Sequence, residues 1–327
     1  MLKVGLIGCG FMGQMHANCY KNIEGVTLAA VADIRKEKAE DIAKGTDAVI
    51  YGDGMELIEN ADVDVIDICL PTFLHAKYAL AAMEKVSYVF VEKPVTLTIE
   101  EGDALIAKAK ECNCNVQIGQ VIRFWDEYVA LKEIVDKNEY GKIVNANFRR
   151  LSPRPDWGWN DWLLDYTLSG GAGQDLHIHD VDYVLSLLGE PKNFYSIKNT
   201  LGEKNSYVNT LMQYDDCAVT VEGTWDLPST HPFEATFRVV FENAVVENAG
   251  GKFMLYTTEE AKEIVIEKKQ LAGGENAGGN ISDLGGYYNE LVYFCECAKE
   301  GKKIERAELS SAVASLKFLM KELNFNA

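Results

Sequence analysis

Basic residues are scarce in this chain, and long apolar runs are absent. Its 327 residues include 32 lysines and arginines against 50 aspartates and glutamates, a formal net charge of −18. Nucleic acids and anionic membranes bind proteins through their phosphates, so this charge argues against both partners. No apolar run approaches the ~20 residues that a bilayer-spanning helix needs, and a strand begins at Leu2, which leaves no room for a signal peptide. We therefore expect a cytoplasmic protein.

Metal-binding and disulfide patterns are also sparse. Eight cysteines are scattered along the chain, and the closest pairs, at 112/114 and 295/297, are separated by one residue. Neither a zinc knuckle nor a redox Cys-x-x-Cys motif has that spacing, so we expect buried thiols in a reducing compartment. Five histidines are present, and the adjacent pair His177 and His179 diverges on a helix. We therefore predict no metal site.

The amino terminus carries a glycine-rich pattern. Apolar residues from 2 to 7 predict a buried strand, and a helical pattern begins at Phe11 and Met12. Between strand and helix, the spacing Gly-x-Gly-x-x-Gly is formed by Gly8, Gly10 and Gly13. Such glycines allow a tight turn, close approach of the backbone to a pyrophosphate, and close helix-strand packing. The helix start offers unpaired N–H groups to the phosphates, so the sequence predicts a bound dinucleotide.

Two residues bear on which dinucleotide binds. Asp33 ends the second predicted strand, twenty residues after Gly13, where a carboxylate can accept hydrogen bonds from both ribose hydroxyls. The same carboxylate would repel a 2′-phosphate, which favours NAD. Arg35 leaves NADP open, because a guanidinium two residues further on could bind that phosphate.

The chain divides near residue 120. Residues 1–120 alternate strands with helices, which predicts a doubly wound parallel sheet of six strands, the Rossmann fold. Residues 121–327 begin with a helix and a strand, then a loop at 152–169 and a helix at 173–188. Seven strands between 193 and 268 follow without intervening helices, and two helices close the chain. This second part predicts an α+β domain with a large, mostly antiparallel open sheet for substrate binding and oligomerisation.

Three segments are candidates for the chemistry, which we expect where the two domains meet. Lys93 follows the fifth strand, where an ammonium can polarise or protonate a substrate oxygen. Asp175 and His179 share a helix face after a glycine-rich turn, as a carboxylate and an imidazole suited to proton transfer. The turn after the fourth strand supplies further polar atoms beside the cofactor. Together with the glycine loop, we expect cofactor contacts from Pro71, Thr72, His75, Glu92 and Lys93.

Residues for substrate recognition are expected outside these segments. The loop Arg154–Trp162 holds three of the five tryptophans, and indole faces pack against the C–H faces of sugars. Trp159 and Asn160 in this loop, and Arg123 after the sixth strand, could bind a polyol or sugar. Equally, the tryptophans could simply fill the junction between the domains.

Taken together, these motifs resemble the glucose–fructose oxidoreductase/inositol dehydrogenase family (Gfo/Idh/MocA) along essentially the whole chain. The resemblance rests on the glycine loop up to His16, on Pro71 to His75, on Glu92-Lys93-Pro94, and on the Asp-x-x-x-His pattern after Gly170–Gly173. It implies that Lys93, Asp175 and His179 contact the substrate carbinol, and that the lysine or the histidine is the acid/base. His16 itself is expected to be structural. Many members have Thr-Pro where this chain has Leu70-Pro71, which removes no catalytic group.

The resemblance implies an NAD(P)-dependent oxidoreductase that transfers a hydride between the nicotinamide and a sugar, inositol or related polyol. Two alternatives remain open at this point. One is an NAD-dependent glycosidase that works by transient oxidation and elimination, and the other is a dinucleotide-binding sensor without catalysis. We also expect a homodimer or homotetramer, because subunit pairing would bury the broad second face of the open sheet.

Overall fold

The computed structural model describes residues 1–199, 206–267, 271 and 284–324. It divides into two compact units. The first comprises residues 1–124 with the described part of 269–313, and the second comprises 125–268 with 314–327. Among the described residues, no helix is both long and apolar enough to cross a membrane. The predicted boundary near residue 120 stays a prediction.

The first unit contains a six-stranded parallel sheet. Its strands are β1 (Leu2–Ile7), β2 (Val26–Ala32), β3 (Val49–Tyr51), β4 (Val65–Ile68), β5 (Tyr88–Val91) and β6 (Asn115–Ile118), in the order β3-β2-β1-β4-β5-β6. The helices between them are α1 (Phe11–Tyr20), α2 (Lys36–Ala43), α3 (Gly54–Asn60), α4 (Thr72–Lys85) and α5 (Ile99–Cys112). Every residue of β4 and β5 is buried, as a parallel sheet covered on both faces requires. The strand order reverses between β1 and β4, so the ligand crevice of such folds lies at their carboxyl ends.

The second unit is built on an eight-stranded sheet. Before it come α6 (Asp126–Asp136), β7 (Ile143–Pro153), a short helix α7 (Tyr166–Ser169) and α8 (Ile178–Leu188). The other strands are β8 (Asn193–Asn199), β9 (Tyr207–Gln213), β10 (Ala218–Leu227), β11 (Glu234–Phe241), β12 (Val245–Ala249), β13 (Lys252–Tyr256) and β14 (Ala261–Glu263). Their order is β14-β13-β12-β11-β7-β10-β9-β8, and only β7 and β10 pair in parallel. Both predicted sheets are therefore confirmed.

Two helices follow the described strands. They are α9 (Gly285–Glu300), which belongs to the first unit, and α10 (Leu309–Leu323), which contains the division between the units. In α9 the residues Tyr287, Leu291 and Phe294 are buried, at the three- and four-residue spacing of a helix face that packs on a core.

The sheet of the second unit has one buried face and one exposed face. Beneath the sheet, the Phe148 ring packs against the rings of Phe237 and Tyr183, and the ring centroids are 5.8 Å apart in each pair. Along β9, buried residues alternate with exposed ones, as expected when alternate side chains of a strand point to opposite faces. The period-two pattern in the sequence therefore predicts this sheet correctly, because only one of its faces needs to be apolar.

The structure departs from the predicted elements at three places. The loop predicted at 152–169 contains a short 3₁₀ helix at Trp159–Leu164, followed by α7. The helix predicted at 173–188 begins with a π-helical turn at Gly173–His177, and the regular α-helix starts only at Ile178. The last strand is predicted at 263–268; residue 268 lies outside the described residues, and the described strand here is β14 at Ala261–Glu263. Single turns and a three-residue strand lack the several repeats that make a periodic pattern recognisable.

Candidate active site

The glycine loop of the first unit leaves no space for side chains at two of its positions. Gly8 has a φ of +93°, and a Cβ there would lie 2.4 Å from the carbonyl oxygen of Cys69. A Cβ at Gly13 would lie 1.8 Å from the carbonyl oxygen of Gly8. At Gly10 the space is open, because the nearest atom to a Cβ would be Arg35 Nη2 at 3.6 Å. Gly8 and Gly13 are therefore required by the fold itself, whereas Gly10 is not.

The carboxylate of Asp33 is held at the end of β2. Its Oδ2 accepts hydrogen bonds from the Cys9 backbone N–H at 2.8 Å and from Arg35 Nη2 at 3.0 Å. Its Oδ1 accepts from the Arg35 backbone N–H and from Arg35 Nε, at 2.8 and 3.1 Å. Burial raises the pKa of Asp33, but the Arg35 and Cys9 hydrogen bonds outweigh it and lower that pKa below its usual value. Asp33 is therefore ionised at neutral pH.

These residues fit a dinucleotide. Gly10 is the N-cap of α1 and has no side-chain hydrogen bond to the helix, so the first N–H groups of α1 are available to an anion. A phosphate that approaches the backbone closely needs the open space that a Cβ would fill at Gly10. A glycine at this position provides that space. The ionised Asp33 supplies the acceptor for ribose hydroxyls.

The turns after β4 and β5 are tied together by His75. Its Nδ1 lies 2.8 Å from the carbonyl oxygen of Pro94, and its Nε2 lies 2.7 Å from that of Leu70. Burial, the largest effect, lowers the pKa of His75, so the ring is neutral and donates to one carbonyl at a time. Thr72 begins α4, and its buried Oγ1 has no hydrogen-bond partner among the described residues. This hydroxyl is a further candidate for a cofactor contact.

Glu92 and Lys93 follow β5 directly and differ in burial. The Glu92 side chain is buried, and its Oε2 accepts a hydrogen bond from the Lys93 backbone N–H at 3.0 Å. Lys93 is half-buried, and the peptide bond that joins it to Pro94 is cis. Lys93 and Thr72 therefore follow adjacent strands of one sheet, with His75 bonded to both turns.

Asp175 and His179 lie on the π-helical turn and the start of α8 in the second unit. Asp175 is half-buried, and His179 is buried. A π-turn widens the helix by one residue, and such turns occur frequently at functional sites. The expectation of one regular α-helix that presents both residues is therefore wrong, although both residues stay on one continuous helical segment.

The other polar residues of this segment anchor it. His177 Nε2 lies 2.7 Å from Glu322 Oε1, and its ring packs so tightly on Gly223 of β10 that a Cβ there would lie 2.6 Å from His177 Nδ1. Asp180 accepts hydrogen bonds from Arg150 Nε and Nη2, at 2.7 and 3.2 Å. The sequence did not single out Arg150 or Glu322. Arg150 was detectable as a cation at a buried position of a strand pattern.

The tryptophan loop has two roles in the second unit. Trp162 packs against a small core cluster with Leu163 and Trp225, whereas Trp157 and Trp159 are 43% and 38% exposed. Asn160, next to Trp159, has a φ of +50°. A left-handed backbone costs of order 1–3 kcal/mol in residues other than glycine and is found preferentially at functional sites.

Arg123 lies in the first unit, in a 3₁₀ turn at Val121–Phe124. Its Nη1 donates a hydrogen bond to Ser311 Oγ at 3.3 Å, and the side chain is half-buried. The structure therefore places Arg123 and the cofactor-loop residues in one unit, and Trp159, Asn160, Asp175 and His179 in the other.

Two family models match most of the chain. Residues 2–120 match a model described as the oxidoreductase family with an NAD-binding Rossmann fold, and residues 128–247 match the GFO/IDH/MocA C-terminal domain. The NAD-binding Rossmann fold therefore lies within residues 2–120. Both matches agree with the division into a parallel and a mostly antiparallel sheet.

Characterised relatives include inositol dehydrogenases. The chain is 31% identical to the myo-inositol 2-dehydrogenase of Thermotoga maritima over 194 residues, which cover 58% of this chain and 55% of that enzyme. It therefore spans little more than half of that relative. It is 27% identical to the NAD⁺-dependent scyllo-inositol 2-dehydrogenase of Bacillus subtilis over 309 residues, which cover 92% of this chain and 87% of the enzyme.

Solved structures share the fold. A levoglucosan dehydrogenase in complex with NADH and levoglucosan superimposes with a TM-score of 0.83 at 20% identity, covering 98% of this chain and 97% of the other. A myo-inositol dehydrogenase homologue from Sinorhizobium meliloti gives a TM-score of 0.80 at 20% identity, covering 99% and 97%. At this identity the likeness establishes the architecture of both sheets.

Proposed function

This chain belongs to the Gfo/Idh/MocA oxidoreductase family, and we propose that it transfers a hydride between NAD and a sugar, inositol or related polyol. One observation carries this proposal: His75 holds the turn after β4 against the turn after β5, so that Lys93 is fixed at the carboxyl edge of an NAD-binding sheet. Ligands of doubly wound sheets bind at that edge. The inositol dehydrogenases among the relatives support the substrate class.

In the proposed reaction each residue acts at one atom of the substrate. A bound NAD would supply the nicotinamide ring as the acceptor for a hydride from the carbinol carbon. His179 removes the hydroxyl proton, and Asp175 orients the imidazole or binds a neighbouring hydroxyl. The proposed role of the Lys93 ammonium is to donate a hydrogen bond to a substrate oxygen and to stabilise negative charge that develops on it. The exposed Trp159 packs against the C–H face of the polyol, and the Asn160 amide and Arg123 bind hydroxyl groups.

The test is a panel of polyols, aldoses and inositols, offered with NAD and separately with NADP. Reduction of the nicotinamide, followed by its ultraviolet absorbance, identifies a dehydrogenase, its cofactor and its substrate together. A silent panel with NAD binding intact in calorimetry would contradict the proposal. Cleavage of aryl glycosides would then identify the glycosidase alternative, and absence of cleavage would favour the sensor.

Asp33 is expected to determine the choice of NAD. Replacing it with alanine removes the ribose acceptor and releases the Arg35 guanidinium from its two side-chain hydrogen bonds. We expect the Kd for NAD to rise about tenfold and the Kd for NADP to fall, because a cation without its carboxylate partner favours the 2′-phosphate. Calorimetric titration with both dinucleotides measures this. The exposed Asp41→Ala on α2 is the control, and unchanged affinities in Asp33→Ala would refute the assignment.

The exposed face of the second sheet supports a homodimer or homotetramer. Ile197 and Leu211 are 60% and 46% exposed and, with Tyr195, Tyr207 and Asn209, line a shallow pocket on β8 and β9. An apolar surface of this kind marks an interaction site, and a second copy of the chain would bury it. We expect Ile197→Asp with Leu211→Asp to shift the protein to monomers in light scattering. Val265→Asp, at an exposed apolar residue outside these strands, should not. A monomeric wild-type protein at micromolar concentration would contradict the prediction.

A cytoplasmic location is part of the proposal. All eight cysteines are free thiols in the structure, and five of them are buried. Free thiols are the normal state in a reducing compartment, whereas secreted domains use cysteines as disulfides.

A further inference from the structure

His16 on α1 is surrounded by buried titratable groups of the first unit. Its side chain is fully buried, its Nδ1 lies 2.8 Å from Asp67 Oδ2, and its Nε2 lies 3.1 Å from Glu92 Oε1. Asp67 belongs to β4, and Glu92 follows β5. The imidazole therefore bridges carboxylates from two adjacent strands.

A carboxylate oxygen lies within 3.1 Å of each ring nitrogen, although Nε2 and Glu92 Oε1 are at an ion-pair distance without hydrogen-bond geometry. Two carboxylates around one imidazole favour the doubly protonated, positively charged ring. Burial lowers the pKa of His16, but Cys69 and Asp67 raise it, and the net pKa lies well above the usual value. Burial raises the pKa of the Cys69 thiol itself, so Cys69 stays protonated. Asp67 therefore supplies the negative charge that holds the imidazolium.

The remaining groups around His16 complete the balance of charge. The Tyr20 hydroxyl donates to Asp67 Oδ2 at 2.8 Å, and the Cys69 thiol donates to Asp67 Oδ1 at 3.5 Å. From α9, Glu290 lies within 4.8 Å of His16 and Glu92, and both of its buried oxygens lack a partner among the described residues. Burial and then Glu92 raise the pKa of Glu290 well above its usual value, opposed by His16 and Arg306. Glu290 is therefore neutral and adds no further negative charge beside the Glu92 carboxylate.

Glu92 connects this cluster to Lys93. One of its oxygens faces His16, and the other accepts the Lys93 backbone N–H. Gly119, directly after β6, leaves room for this carboxylate, because a Cβ there would lie 2.9 Å from Glu92 Oε1. The Glu92 carboxylate therefore lies between Gly119 and His16.

We propose that His16 is a positioning residue: its imidazolium holds the Glu92 carboxylate, and this carboxylate fixes the backbone at Lys93. The inference rests on the proposed function, in which Lys93 contacts the substrate. The inference assigns the positive charge in this cluster to a proton on the His16 ring. The same atoms could hold a metal ion, but 2.8 Å between Nδ1 and an aspartate oxygen is the length of a charge-assisted hydrogen bond.

The charge of His16 is tested without any activity. In wild-type protein labelled with ¹⁵N-histidine, NMR should show one imidazolium that stays protonated above the ordinary titration of histidine near pH 6.5. That signal should be absent from His16→Gln and present in His231→Gln, which changes a half-buried histidine outside the cluster. A neutral His16 at pH 7, or one equivalent of bound zinc, would overturn the inference.

The positioning role is tested by a double-mutant cycle. We expect His16→Gln to lower kcat about tenfold or more with little change in KM, the signature of an interaction used in the transition state. Glu92→Gln should add little in the His16→Gln background, because residues that act through one another are not additive. Additive losses, or a fall in melting temperature with unchanged kcat, would overturn it. Absence of dehydrogenase activity in the wild type would instead refute the proposed function, and the NMR spectrum would still decide the charge of His16.

Discussion

Lys93→Ala is expected to lower kcat by at least about a hundredfold, the usual scale for loss of an acid/base or charge-stabilising group. NAD affinity should stay nearly intact, because the glycine loop and Asp33 carry the main dinucleotide contacts in the proposal. Steady-state kinetics with the best substrate of the panel, together with calorimetric NAD titration, measures both quantities. The matched control is Lys137→Ala, since Lys137 is exposed at the end of α6 and pairs with Glu133 on its surface.

His179→Ala should lower kcat by a similar factor. A further variant, Lys93→Arg, separates the roles of the two side chains. Lys93→Arg keeps the positive charge but cannot release a proton near neutral pH. If Lys93 acts by charge alone, the arginine variant recovers part of kcat, and His179 is then the main acid/base. Unchanged turnover in both alanine variants would refute the assignment of the catalytic residues.

Much of the first unit could be predicted from sequence because its signals are local. The glycine loop joins a strand to a helix within a few residues, and four-residue strands such as β4 and β5 are mostly apolar because both faces of the sheet are covered. In the second unit, the alternation along β9 and β11 records the one buried face of the sheet. Each of these patterns repeats within a single element, and so it can be read without knowledge of the neighbours.

The features that sequence could not provide depend on residues far apart in the chain. Arg150 is buried because Asp180 is thirty residues away in sequence and 2.7 Å away in space. His177 meets Glu322, which is 145 residues distant, and this contact helps to hold the π-turn that carries Asp175. His16 looks like an ordinary helix residue until β4, β5 and α9 bring three carboxyl groups to it. No local pattern encodes such contacts.

Gly10→Ala is expected to separate folding from cofactor binding. The free protein has space for the methyl group, because its nearest neighbour would be 3.6 Å away and Gly10 has a φ of −74°. The melting temperature should therefore stay near that of the wild type. The Kd for NAD should rise about tenfold or more, because the methyl group would occupy the space through which the backbone approaches the pyrophosphate.

Two further glycines control this experiment. Gly13→Ala would place a Cβ 1.8 Å from the Gly8 carbonyl oxygen, so it should lower the melting temperature as well as NAD affinity. Gly52→Ala meets nothing closer than 3.9 Å and should change neither quantity. Thermal denaturation and NAD titration of the three variants therefore distinguish a glycine required by the fold, a glycine required by the ligand and a glycine required by neither. Wild-type affinity in Gly10→Ala would show that the pyrophosphate does not approach the backbone at this position.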